Sequence, residues 1–233
     1  MRNSSLQFYR ALSALALLAM VAACNDSDGP ERVARVRFLH AAQGLAAIDF
    51  RADGATRGAA VGYSVSWSAD AVLSAGTRSF TARLTGGTTD LATTAKALAN
   101  SASYSIALAK RPTTDTLVVY SDTAATPATD KAWVRLLNVS PAAGSIDVYI
   151  TAAGADLATA TPQATNLTFL SASPYLEVAS GAQRVRLTTT GTKTVVLDIN
   201  TIALTSRGVR SIALLDSNTG GTPLQGVTSV EKN

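Results

Sequence analysis

Apolar residues along most of this chain fall in runs of five to eight, often alternating with polar ones, and Gly, Asp, Asn, Pro and Ser cluster between the runs. Ser79-Phe80-Thr81-Ala82-Arg83-Leu84 and Arg184-Val185-Arg186-Leu187 alternate with a period of two, the signature of a half-buried strand. In Arg35-Val36-Arg37-Phe38 the same alternation points Val36 and Phe38 to a core and the two arginines to water. Thr116-Leu117-Val118-Val119-Tyr120 and Lys193-Thr194-Val195-Val196-Leu197 read as strands buried more fully. Threonine and valine suit pleated, half-buried surfaces, and no long amphipathic helix interrupts the pattern.

The pattern occurs twice. Residues 36–50 overlie residues 134–148 without a gap, with identities at Val36/Val134, Arg37/Arg135, Leu39/Leu137, Ile48/Ile146 and Asp49/Asp147. Further on, Ala75-Gly76-Thr77 meets Ser180-Gly181-Ala182, Phe80 meets Val185, and Ser105-Ile106-Ala107-Leu108 meets Ser211-Ile212-Ala213-Leu214. A period near 100 residues implies tandem domains rather than a solenoid. With about seven short strands in each, the expected architecture is all-β: two tandem immunoglobulin-like β-sandwiches. The expected boundaries are 33–123 and 131–220, with a linker at 124–130 and a tail at 221–233.

Residues 1–23 have the character of a processing segment rather than of a fold. Arg2 and Arg10 precede an apolar run, Ala11 to Met20, that is shorter than the roughly 20 residues needed to span a bilayer. Val21, Ala22, Ala23 and Cys24 form a lipobox-like sequence, which makes Cys24 the candidate lipidation site. Cys24 is the only cysteine, and lipidation gives an exported thiol a use where no disulfide partner exists. Acyl chains contribute about 0.8 kcal/mol per buried methylene, so several together anchor stably. Residues 24–32 then serve as a polar tether, and Asn25 after the cysteine points to the outer membrane.

Charge sharpens this picture mainly by exclusion. The chain has 20 Lys+Arg and 16 Asp+Glu, and two of the arginines lie in the leader. The exported part is therefore nearly neutral, which is not the footprint of a nucleic-acid binder.

Candidate chemistry is sparse. His40 is the single histidine, its counterpart is Asn138, and no nucleophile elbow accompanies it, so a local structural role is expected. No set of ligands with metal spacing appears, and no cofactor is implied. Asp49 and Asp147 are the most prominent acids; each is expected to accept backbone N–H bonds from the preceding turn, with ligand contact as the alternative. Trp67 and Trp133 are candidate stacking platforms for sugars, although packing at the domain junction suits Trp133 better. Arg35, Arg37, Arg184 and Arg186 are expected on solvated strand faces.

Several of these residues carry a family resemblance. Arg135-Leu136-Leu137-Asn138-Val139-Ser140-Pro141, then Ile146-Asp147-Val148-Tyr149, then Pro174-Tyr175-Leu176 and Ser180-Gly181, resemble the DUF4397 family, a domain of unknown function common in bacterial exported proteins and often found in tandem. The first copy departs from that pattern with Gln43 near the usual proline, Phe50-Arg51 for Val-Tyr, and Asp70 opposite Tyr175. The resemblance implies export and tandem domains, and it implies no activity. The expected function is a non-catalytic, lipid-anchored envelope protein serving binding or assembly; the alternatives are a glycan- or cell-wall-binding adhesin and, more remotely, a hydrolase.

Overall fold

The computed structural model describes residues 32–232, without the side chain of Lys232. The lipobox and Cys24 lie outside the described residues. The first half contains β1 (Val33–Ala41), β2 (Ile48–Ala52), β3 (Ala55–Val61), β4 (Ala71–Ser74), β5 (Gly76–Leu84), β6 (Ala92–Leu98), β7 (Ser103–Ala109) and β8 (Thr116–Asp122). The second contains β9 (Lys131–Asn138), β10 (Ile146–Thr151), β11 (Ala164–Leu167), β12 (Leu176–Ala179), β13 (Gly181–Thr189), β14 (Val195–Leu204), β15 (Val209–Leu215) and β16 (Gln225–Lys232).

These strands form four sheets of four, ordered β4-β1-β7-β8, β3-β2-β5-β6, β12-β9-β15-β16 and β11-β10-β13-β14. The two halves have the same strand order, and each is a two-sheet sandwich. In both, the central pair is parallel, β1 with β7 and β9 with β15, and the other neighbours run antiparallel. The sheets containing β1 and β9 are inner layers: one face closes its own sandwich, and the other packs against the inner sheet of the other half.

That layering explains where the period-two reading fails. Arg37 is expected in water, but it lies on the inner-sheet face and is only 6% exposed. Alternation distinguishes two faces; it does not show that one of them is wet. Arg186 is also buried, donating to Thr151 Oγ1 and to the Ala155 carbonyl, each at 2.9 Å. Conversely, Val195 is 42% exposed, because β14 is the edge strand of an outer sheet. Within the expected tail, residues 225–232 are β16, which pairs with β15 and completes an inner sheet.

The two sandwich cores are filled differently at matching registers. The first stacks Phe38 on Phe50 at 5.0 Å between centroids, with Phe80 at 6.4 Å from Phe38. Leu136, Val148 and Val185 hold the corresponding places in the second. The strand neighbouring Phe50 accommodates the larger rings with Gly58, where an added Cβ would sit 2.9 Å from Phe38 Cδ2. At the matching register opposite Val148 the second half has Ala164, packed against its aliphatic core.

Gly58→Ala should therefore destabilise the protein by about 1–3 kcal/mol through overpacking. Adding Phe38→Leu should recover part of that loss, making the pair non-additive in a denaturant double-mutant cycle. Simple additivity would contradict the Phe38–Gly58 fit.

Candidate functional site

Between the inner sheets lies a third apolar cluster, with Leu39, Ala41, Ala107, Ala109 and Tyr120 on one side and Leu137, Val139, Ala213, Leu215 and Val227 on the other. Next to it the face turns polar, because β1 and β9 place Arg37 and Arg135 two positions before Leu39 and Leu137. The arginines meet two carboxylates, Asp122 at the end of β8 and Glu231 in β16. Arg37 Nη2 lies 3.2 Å from Asp122 Oδ2 and 3.1 Å from Glu231 Oε1; Arg135 Nη2 lies 2.6 Å from Asp122 Oδ1 and 2.9 Å from Glu231 Oε1. Each guanidinium thus bridges an acid of its own half and an acid of the other. All four side chains are 4–7% exposed, so solvent screening is weak.

Supporting bonds repeat about a pseudo-twofold axis. Arg37 Nε donates to Ser105 Oγ at 2.8 Å and Nη1 to the Val230 carbonyl at 3.0 Å. Arg135 Nε donates to Ser211 Oγ at 3.1 Å and Nη1 to the Ser121 carbonyl at 3.0 Å. Ser105 in turn donates to Asp122, and Ser211 to Glu231. The aromatic covers differ: Trp67 lies over Arg37 at 5.2 Å, whereas Tyr175 lies over Arg135 at 4.7 Å and donates its hydroxyl to Glu231. Burial, and then the neighbouring Glu231 charge, hold the Asp122 carboxyl above its ordinary pKa against the pull of the two arginines.

A polar cleft of about 340 Å³ opens beside this network on the first-half side. Its walls include Arg35 and Arg37 from β1, Asp70, Ser101, Ser103, and the carboxylates Asp122 and Glu231. A second depression, lined by residues 57–62 and 65–69, runs along β3 and past Trp67.

The residues singled out by sequence fall in separate places. Asp49 accepts from Ala60 N at 2.8 Å and Thr85 Oγ1 at 3.1 Å; Asp147 accepts from Asn166 N at 2.9 Å and Gly191 N at 2.8 Å. Their backbone donors thus come from the neighbouring strand or the next hairpin rather than from the preceding turn. Burial opposes ionisation of Asp147, but the Gly191 and Asn166 N–H bonds outweigh it and lower its pKa. Trp67 is buried at the junction, and Trp133 is half-buried on the face of β9 that carries Arg135. Arg184 pairs with Asp198, and Arg35 remains exposed at the cleft.

His40 and Asn138 do equivalent work. His40 Nε2 is 3.1 Å from the Ala46 carbonyl and 3.4 Å from that of Leu45, while Nδ1 accepts from Ala42 N at 3.3 Å. Asn138 Nδ2 donates to the Gly144 and Leu167 carbonyls at 2.8 and 3.0 Å, and its Oδ1 accepts from Ser140 N at 3.3 Å. These partners require the neutral Nε2–H imidazole, and burial lowers the His40 pKa despite its carbonyl partners.

Asp122 and Glu231 carry no motif and emerge as site residues only once the halves are placed together, whereas Asp70 stands out in the sequence only as a departure from the pattern at Tyr175. Repeated Arg37/Arg135 and Ser105/Ser211 were the available signal, since a charge kept at matching positions on a buried strand needs a partner.

Two outcomes test this account. Arg135→Met should cost about 3–5 kcal/mol by leaving two buried carboxylates short of counter-charge. A carboxyl whose folded pKa exceeds its unfolded value near 4 favours the fold while protonated, and that contribution is lost as pH rises through the folded pKa. The penalty should therefore be larger at pH 7 than near pH 4; a pH-independent penalty would contradict it. His40→Asn should retain the fold. Wild-type stability should fall with pH below about 6.5, where unfolded histidine takes up a proton that the folded ring resists. The variant should lose that component, measured by denaturation between pH 5 and 8.

No match is found among curated proteins. Among solved structures, one match is the crystal structure of CBMbc (family CBM26) from Eubacterium rectale Amy13K in complex with maltoheptaose, at 13% identity, covering 86% of this chain and 97% of that chain, with a TM-score of 0.26. Residues 34–149 match the family model described as Domain of unknown function (DUF4397), a match that covers the first sandwich and continues through β9 and β10 into the second.

Proposed function

We propose that this chain is a non-catalytic glycan-binding lipoprotein of the bacterial envelope, carried at a membrane by a lipid on Cys24, with two duplicated sandwiches acting as one rigid block. The observation that carries the binding reading is the polar cleft beside a charge network shared by both halves. A concave site of about 340 Å³ lies at the low end of the range for small-molecule pockets, roughly 300–1,000 Å³. The groups most suited to acid–base chemistry are committed elsewhere: His40 to loop carbonyls, Asp147 to backbone N–H groups, and Ser105 and Ser211 to the ion network. Duplication is supported by matching strand order and by the pairing of Arg37 with Arg135 and of His40 with Asn138 at equivalent registers.

The anchor and the binding are tested separately. A clickable fatty acid fed to cells expressing the full chain should label the wild type and not Cys24→Ala; labelling of the variant would remove the lipid from this reading. The full chain purified in detergent should be retained on immobilised envelope polysaccharide. Failure to be retained on any polysaccharide fraction would remove the glycan.

A further inference from the structure

The two inner sheets can be compared position by position. Val36 lies opposite Ala71 as Val134 lies opposite Leu176, so Asp70 and Tyr175 hold the same place, as do Arg35 and Trp133. On the second half, Tyr175 covers the Arg135 guanidinium and Trp133 stands half-buried beside it. On the first half, a short carboxylate and an extended guanidinium occupy those places. The cover over Arg37 comes instead from Trp67, which stands at another position. The cleft is thus the space that two aromatic side chains fill on the opposite side of the pseudo-twofold.

Its chemistry is specific. Arg37, Asp122 and Glu231 are balanced by one another together with Arg135. The remaining lining charges are Arg35 and Asp70, one of each sign, and no ion pair joins them. The side chains of Arg35, Asp70, Ser101 and Ser103 make no hydrogen bond or ion pair within the described residues, although all four line the cleft. An ion of either sign entering here finds no excess of opposite charge to offset its lost hydration. A neutral molecule rich in hydroxyls finds complementary partners, because each hydroxyl both donates to carboxylates and accepts from guanidinium groups.

Resting on the glycan-binding reading, we infer that this cleft is the sugar site, and that it takes one or two neutral sugar rings, held by Arg35, Asp70, Ser101 and Ser103 against the edge of the ion network. The second half has no such site because Tyr175 and Trp133 occupy it.

The test uses the full chain in detergent and titration calorimetry. The probes are glucose, galactose, N-acetylglucosamine and their β-linked dimers, with glucuronate and glucosamine as charged counterparts of similar shape. Binding of a neutral sugar is expected, with amide shifts at Ser101 and Ser103. Asp70→Tyr, which installs the residue used at the equivalent position, should weaken binding roughly tenfold or more at unchanged melting temperature. Arg35→Trp should do the same and guards against a folding defect in the first variant. Preference for glucuronate or glucosamine would overturn the neutral ligand class. Undiminished sugar binding by both folded variants would overturn the site while leaving the glycan-binding reading standing. If the wild type binds none of these probes yet is retained on envelope polysaccharide, the inference fails alone; if it is not retained either, both fail.

Discussion

Two guanidinium groups and two carboxylates buried between apposed sheets set the terms for the rest of the structure. Desolvating four charges carries a large penalty, which is offset only when each has several partners of good geometry. Here every charge touches both opposite charges, and the arginines also reach carbonyls across the junction. Neither sandwich satisfies its own arginine completely. The apolar cluster alongside supplies non-directional attraction, whereas the ionic contacts specify how the sheets align. The arrangement therefore permits few alternative dockings.

Much of the β architecture was legible from local pattern. Strand-length apolar runs separated by turn formers gave the sandwich class, and the overlay of residues 36–50 on 134–148 matches the registers seen in β1 and β9. The limits arose where local pattern has no access to the third dimension. Arg37 alternates as a solvated residue does, yet its face meets another sheet. Residues 193–197 are apolar enough for a core strand but occupy an edge. β16 has little apolar character in Gln225-Gly226-Val227-Thr228-Ser229 to mark it as a strand, and its pairing with β15 supplies the order.

Site residues were less legible for the same reason. Asp49 and Asp147 stand out because they repeat, but repetition here marks a hydrogen-bonding task common to both halves. The cleft arises where the halves differ, at Asp70 against Tyr175 and Arg35 against Trp133. Symmetric positions report on the scaffold; broken symmetry reports on what one copy does that the other does not. The Phe38–Gly58 and Leu136–Ala164 contrast obeys the same logic within the cores, except that there the changes compensate and leave the backbone arrangement alike.

The position of Glu231 has a consequence for the order in which the molecule is completed. A chain made or exported from its amino end delivers β1, with Arg37, long before β16. Until the last strand arrives, two arginines share Asp122 alone, and the junction carries an uncompensated positive charge in a place that water is about to leave. The first sandwich can collapse around its phenylalanines in that interval, but docking of the halves has to wait for β16. The final strand thus acts as a clasp: an early stop between β15 and β16 would leave both arginines sharing Asp122 alone and weaken the docking of the two sandwiches.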